Sequence, residues 1–207
     1  MILICSAWKE ENKYLELDSA KFKVLNLGIG YLEAALNLEQ ELQILKNQGV
    51  KIQQIIFLAT AGKIVDAKFG EFNPETDIQV YSIKEVYLGN YLTHLNYSYV
   101  PKEYESYQVQ LLDCDLGEAI VISNLEITKN YDLNEAILCS MGRDQPLLEN
   151  MEIYGAAKVA KRHNIEFSSL LATTNYTSPN ASQDWKENHK LASKLLCRTY
   201  QELLIED

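Results

Sequence analysis

The chain has 207 residues, 47% hydrophobic and 23% charged, which is enough for one sizeable core, and no shift in composition divides it. Its formal net charge of −10, from 19 basic and 29 acidic residues, argues against a protein that works by neutralising nucleic-acid phosphates. The apolar run Met1–Ser6 is too short for a signal peptide or a membrane span, so a single cytoplasmic domain over residues 1–207 is expected.

In chain order, Ile2–Ser6 reads as a first strand that turns polar at once in Ala7–Asn12, which carries Glu10 and Glu11. In open α/β sheets ligands sit beyond the carboxyl ends of strands, so these acids are either site residues or a solvated loop. Lys21–Leu27 is a second strand, followed by Gly28-Ile29-Gly30 and a helical stripe of Leu32, Ala35, Leu36, Leu42 and Leu45 that ends near Gly49. A glycine turn between strand and helix lets a ligand approach the backbone, although Glu33 stands where a dinucleotide fingerprint needs its third glycine.

Ile52–Leu58 is the clearest strand, and small residues including Ala61 and Gly62 follow it. Asp77–Tyr81 is a further strand, and the tyrosine-rich stretch Tyr87–Tyr107 suits a subunit interface or a pocket wall. Ala119–Ser123 is a buried strand. Asp132–Cys139 reads as a short helix or strand and Met141–Pro146 as a loop. A helix begins near Asn150 with Glu152 at its start, and Ala156, Ala157, Val159 and Ala160 give it a narrow apolar face. Phe167–Thr173 is the last strand, ending in polar turn residues, and Asp184–Leu204 the last helix. Cys5, Cys114, Cys139 and Cys197 form no CxxC pair and have no metal-like spacing to His94, His163 or His189. Neither a metal, a disulfide nor a cofactor is expected.

SAWKEE (6–11), LGIGYLEAA (27–35), TAGKI (60–64), ENMEIYGAAKVA (149–160) and LLATTNYTSPNASQDW (170–185) together resemble the nucleoside phosphorylase/nucleosidase family. Within it the likeness is to methylthioadenosine/S-adenosylhomocysteine nucleosidase and, toward the C-terminus, to futalosine hydrolase. The resemblance implies an α/β fold, a three-layer α/β/α sandwich around a central mixed sheet, with a purine nucleoside held at the strand ends. By similarity Glu152 accepts from the ribose hydroxyls, Met151 lies against the sugar, and Glu11 activates the attacking water. Gly28, Ile29, Gly30, Ala61 and Gly62 form loops of the site, and Ile127 and Thr128 contact the base.

The resemblance also marks departures. Where methylthioadenosine-type enzymes carry an aspartic acid able to protonate N7, this chain has Asn175, whose amide donates a hydrogen bond but is no general acid. That favours a 6-oxopurine, as in futalosine, over adenine. Leu171 stands where many relatives carry arginine, and the only arginines are Arg143, Arg162 and Arg198, so water is the expected nucleophile. A phosphate-dependent phosphorylase and a non-catalytic nucleoside-binding protein remain open alternatives. Homo-oligomerisation is expected, with a dimer as the first guess.

Overall fold

The isoleucine-rich run after Gly49 forms the strand on which the rest of the sheet depends. In the computed structural model, which describes residues 1–89, 106–112 and 115–206, it spans Gln54–Lys63. The elements in order are β1 (Ile2–Ser6), α1 (Lys9–Asn12), β2 (Phe22–Asn26), α2 (Tyr31–Asn47), β3 (Gln54–Lys63), α3 (Pro74–Asp77), β4 (Val80–Leu88), β5 (Ser106–Gln108), β6 (Gly117–Ser123), α4 (Tyr131–Met141), β7 (Leu147–Glu149), α5 (Ile153–Arg162), β8 (Glu166–Tyr176) and α6 (Ala181–Glu206). Tyr91, Tyr97, Tyr99, Tyr104 and Cys114 lie outside the described residues.

The sheet is mixed. β2 and β1 pair in parallel, β1 continues onto β3, and the order runs on through β7, β6, β4 and β5. β8 pairs with β3 in parallel and with β4 antiparallel, so β3, β7, β6, β4 and β8 close a ring. A flat sandwich layer would leave those edges open. The ring explains why β8, buried from Phe167 to Tyr176, carries almost no polar alternation: both of its edges are paired and both faces covered.

Successive residues of the strands sort to the two faces. Leu3, Cys5, Ile55 and Phe57 join a core covered by α2 and α5, whereas Ile4, Ile56, Leu58, Leu170 and Ala172 meet Ala192, Leu196 and Tyr200 of α6. The small residues of α5 have a steric cause. A Cβ at Gly155 would stand 1.9 Å from the carbonyl oxygen of Tyr31, so α2 and α5 approach to a separation that only glycine permits.

Two polar caps explain boundaries that the sequence blurs. Asn130 accepts from the Asp132 N–H at 2.8 Å and starts α4 as a helix. Asn150 accepts from the N–H groups of Glu152 and Ile153, holding α5 to a start at Ile153 rather than at Asn150 itself. β7, only three residues long, begins just after the expected loop Met141–Pro146; it pairs with β6 along Ile120–Ile122 and with the end of β3.

Candidate active site

The site arises where β3 changes neighbours. β1 leaves its edge after the Cys5–Phe57 pair, and β7 takes that edge only at Gly62, paired with Glu149. Thr60 lies between, and side chains satisfy its backbone. Its N–H donates to Glu11 Oε1 at 2.8 Å, and its carbonyl accepts from Asn150 Nδ2 at 3.0 Å. Beside this gap opens a cavity of about 430 Å³ lined by Ala7, Trp8, Glu11, Ile29, Thr60, Ala61, Gly62, Ile127, Glu149, Asn150, Met151, Glu152, Thr174, Asn175 and Trp185.

Of the residues picked out from the sequence, Glu11, Ile29, Ala61, Gly62, Ile127, Met151, Glu152 and Asn175 line this space, but Ala61 and Gly62 do so from within β3 and not from a loop, because β8 keeps that stretch paired. Gly28 and Gly30 do not, yet both hold positive φ, 86° and 90°, and Gly30 turns its N–H onto Glu152 Oε1 at 2.9 Å. Thr128 also stands behind the wall. Its N–H and hydroxyl both donate to Glu149, at 3.0 and 2.8 Å to Oε1, so its backbone donor faces a carboxylate of the protein.

Glu11 accepts four hydrogen bonds: from Thr60 N and Oγ1 on one oxygen, and from Ala7 N and Trp8 N on the other, each at 3.1 Å. Burial pushes its carboxyl up, and the four donors pull against that shift. Glu152 is pushed up to about 7, chiefly by desolvation and further by the charge of Glu11, with the Gly30 N–H opposing. Glu149 is likewise raised by burial, opposed by Asn124 and Thr128. Asn175 donates from Nδ2 to the Tyr176 carbonyl at 2.9 Å and accepts on Oδ1 from the Thr174 hydroxyl at 2.8 Å.

Seven lining residues were not among the candidates read from the sequence, and three of them, Glu149, Trp8 and Trp185, bring large side chains. In the sequence Glu149 reads only as the edge of a helical segment, because the strand that carries it has three residues. Trp8 and Trp185 come from the two ends of the chain and meet with ring centroids 5.8 Å apart, while His189 stacks on Trp185 at 4.9 Å. Their only sequence signal is an aromatic near each strand end. The described lining contains no lysine, arginine or histidine.

With this geometry in place, comparison with solved structures is informative. A structure assigned as a 5′-methylthioadenosine/S-adenosylhomocysteine nucleosidase from Borrelia burgdorferi, bound to adenine, superposes with a TM-score of 0.72 at 20% identity, over 100% of both chains. A mutant nucleosidase from Helicobacter pylori with 5′-methylthioadenosine in its active site gives 0.73 at 15% identity, over 100% of this chain and 98% of that one. Futalosine hydrolase from Helicobacter pylori, also a mutant form, gives 0.73 at 12%, over 100% and 99%. No protein-family model matches the chain, and no curated protein sequence does. The fold is therefore α/β with a mixed sheet, nucleosidase-like in architecture, and at these identities the likeness is one of fold.

Proposed function

We propose that the protein hydrolyses the N-ribosidic bond of a purine nucleoside, with a 6-oxopurine such as that of futalosine as the leaving base. The observation that carries this reading is the charge of the cavity. It gathers Glu11, Glu149 and Glu152 and, among the described lining residues, offers no cationic side chain. Such a site favours positive charge developing on the sugar and disfavours a phosphate dianion as nucleophile, so water is preferred.

Glu152 binds the ribose diol. One oxygen accepts from Gly30, and the other keeps its acceptor capacity for two O–H groups. Met151 packs on the sugar. Glu11 holds and deprotonates the attacking water, which enters in place of the Thr60 hydroxyl while the Thr60 N–H stays on Oε1. Asn175 donates to O6 or N7 of the departing base, with Ile127 against the ring. Water adds to C1′ as the C–N bond breaks, its proton passes to Glu11, and the base leaves as an anion that solvent reprotonates.

The helix placement supports an α/β/α layering of the fold, with α2 and α5 over one face and α6 over the other. Ile29, Leu32 and Leu36 are 70%, 65% and 59% exposed, an apolar stripe that supports self-association, with a dimer the simplest form.

The test is incubation with futalosine, aminodeoxyfutalosine, inosine and methylthioadenosine, with and without phosphate, following release of free base. Phosphate-independent release from the 6-oxo substrates is expected. Release only with phosphate makes the protein a phosphorylase, and tight nucleoside binding without release makes it a binding protein.

A further inference from the structure

Resting on the nucleoside reading above, we propose that Glu149 is a base-reading residue: with Asn175 it forms an acceptor–donor pair that selects a 6-oxopurine by its N1–H and O6. The juxtaposition comes from strand register. Gly62 of β3 is the Cα partner both of Glu149 on β7 and of Asn175 on β8, so the two side chains emerge at one level on either side of it. Two strand spacings separate their backbones, about 9.5 Å. A flat ring lying over Gly62 meets both.

Gly62 keeps that floor open. A Cβ there would come within 2.9 Å of Asn175 Nδ2, so the amide already leans over the glycine toward β7. On the other side, Glu149 Oε1 is fully engaged by Asn124 Nδ2 at 2.8 Å and by the N–H and hydroxyl of Thr128. Oε2 accepts only the shared Thr128 N–H at 3.1 Å, which leaves it lone-pair capacity for a further donor. The Thr128 N–H and the Asn124 NH2 can only donate, and the Thr128 hydroxyl, itself accepting from Asn124 Nδ2 at 3.2 Å, turns its proton to Oε1, so the carboxylate is held as an acceptor; Glu149 lines the cavity while remaining buried.

The two bases differ at the edge that meets this pair. A 6-oxopurine offers N1–H to the carboxylate and O6 to the amide NH2. Adenine presents a lone pair at N1, which faces Oε2 without a proton between them. A buried site built around one donor rejects a ligand that lacks it, because its own polar group is then left unpaired. Glu149 therefore adds to Asn175 the half of base selection that an amide alone leaves undecided.

Calorimetric titration of hypoxanthine and of adenine into the wild type, Glu149→Gln and Thr128→Ala tests the assignment. Wild-type protein is expected to prefer hypoxanthine. Glu149→Gln should weaken hypoxanthine about tenfold to hundredfold and leave adenine unchanged or tighter. Thr128→Ala, which loosens the anchor but keeps the acceptor, should shift both bases alike. Should Glu149→Gln fail to fold, Glu149→Asp keeps the charge but shortens its reach, and the same selective loss is expected. Equal loss for both bases, or no hypoxanthine preference in the wild type, overturns the assignment. Absence of base release from every nucleoside overturns the catalytic reading alone, provided a Glu149-dependent hypoxanthine preference persists in these titrations.

Discussion

The short helix α1 that follows β1 and the junction between β7 and α5 each put one glutamate into the same cavity, and Glu11 and Glu152 are equally buried at 6% exposure. Their surroundings differ sharply. Glu11 accepts from four donors of the protein, three of them backbone N–H groups, and ties the start of α1 to the buried stretch of β3 edge that neither β1 nor β7 pairs. Glu152 accepts one such bond, from Gly30 at 2.9 Å, with the N–H groups of Met151 and of Glu152 itself adding to the pull on its carboxyl, and it lines the cavity. Equal burial therefore produces two kinds of acid, one built into the scaffold and one that the proposed reading keeps for a ligand.

The largest expected effect falls on the second. Glu152→Gln should lower turnover about 10²–10³-fold, because it removes charge where the sugar becomes positive. Folding should survive, and the melting temperature above pH 7 should rise, since a carboxylate that burial disfavours is gone. Steady-state rates with a thermal melt check both, and unchanged turnover removes Glu152 from the site.

Glu11→Gln should behave differently. Turnover should fall about 10²-fold through the lost base, and stability should fall by about 1–3 kcal/mol because an amide NH2 would face N–H donors of Ala7 and Trp8 or of Thr60. Urea unfolding reads the second effect. If Glu11→Gln and Glu152→Gln lose stability equally, the division between scaffold acid and ligand acid fails.

A pH series sharpens the same contrast. Glu152 stands at about 7 against an ordinary 4.5, so the folded protein holds this proton more tightly than the unfolded chain. Its stabilising contribution is complete below about 4.5 and is lost as pH rises to about 7. Activity should move the opposite way, kcat/KM rising through an apparent pKa near 7 as the acceptor form fills. The limb should vanish from the residual activity of Glu152→Gln.

Most of the framework was legible in the sequence because its signals are local. The Ile52–Leu58 run, the glycine turn before α2 and the small-residue face of α5 follow from periodicity and sterics within single segments. Glu11 and Glu152 were reached through polar residues that abruptly end or follow apolar runs, and through the resemblance. What stayed hidden depends on pairing across the chain. The ring closed by β8 on β4, the cap that Asn150 sets on α5, and the alignment of Glu149 with Asn175 across Gly62 each join residues far apart in sequence. Trp8 and Trp185 met for the same reason.

Asn175→Asp makes the smallest expected change and tests the base end against the sugar end. Nδ2 now donates to the Tyr176 carbonyl, so a carboxyl in its place would set an oxygen against an oxygen unless it carried a proton. Thr174 can still donate to the other oxygen. Both the carbonyl and the burial at 5% exposure favour the protonated acid, whose single O–H then has to swing from the Tyr176 carbonyl to N7 to assist a poor leaving group. Adenine nucleosides should gain about tenfold in kcat/KM, with 6-oxopurine nucleosides changing by a few-fold at most, and Glu149 should still bias binding toward the N1–H base. Competing inosine against methylthioadenosine in one reaction measures the ratio directly. A ratio that does not move would mean that Asn175 is spent on Tyr176 and Thr174, leaving base selection to Glu149.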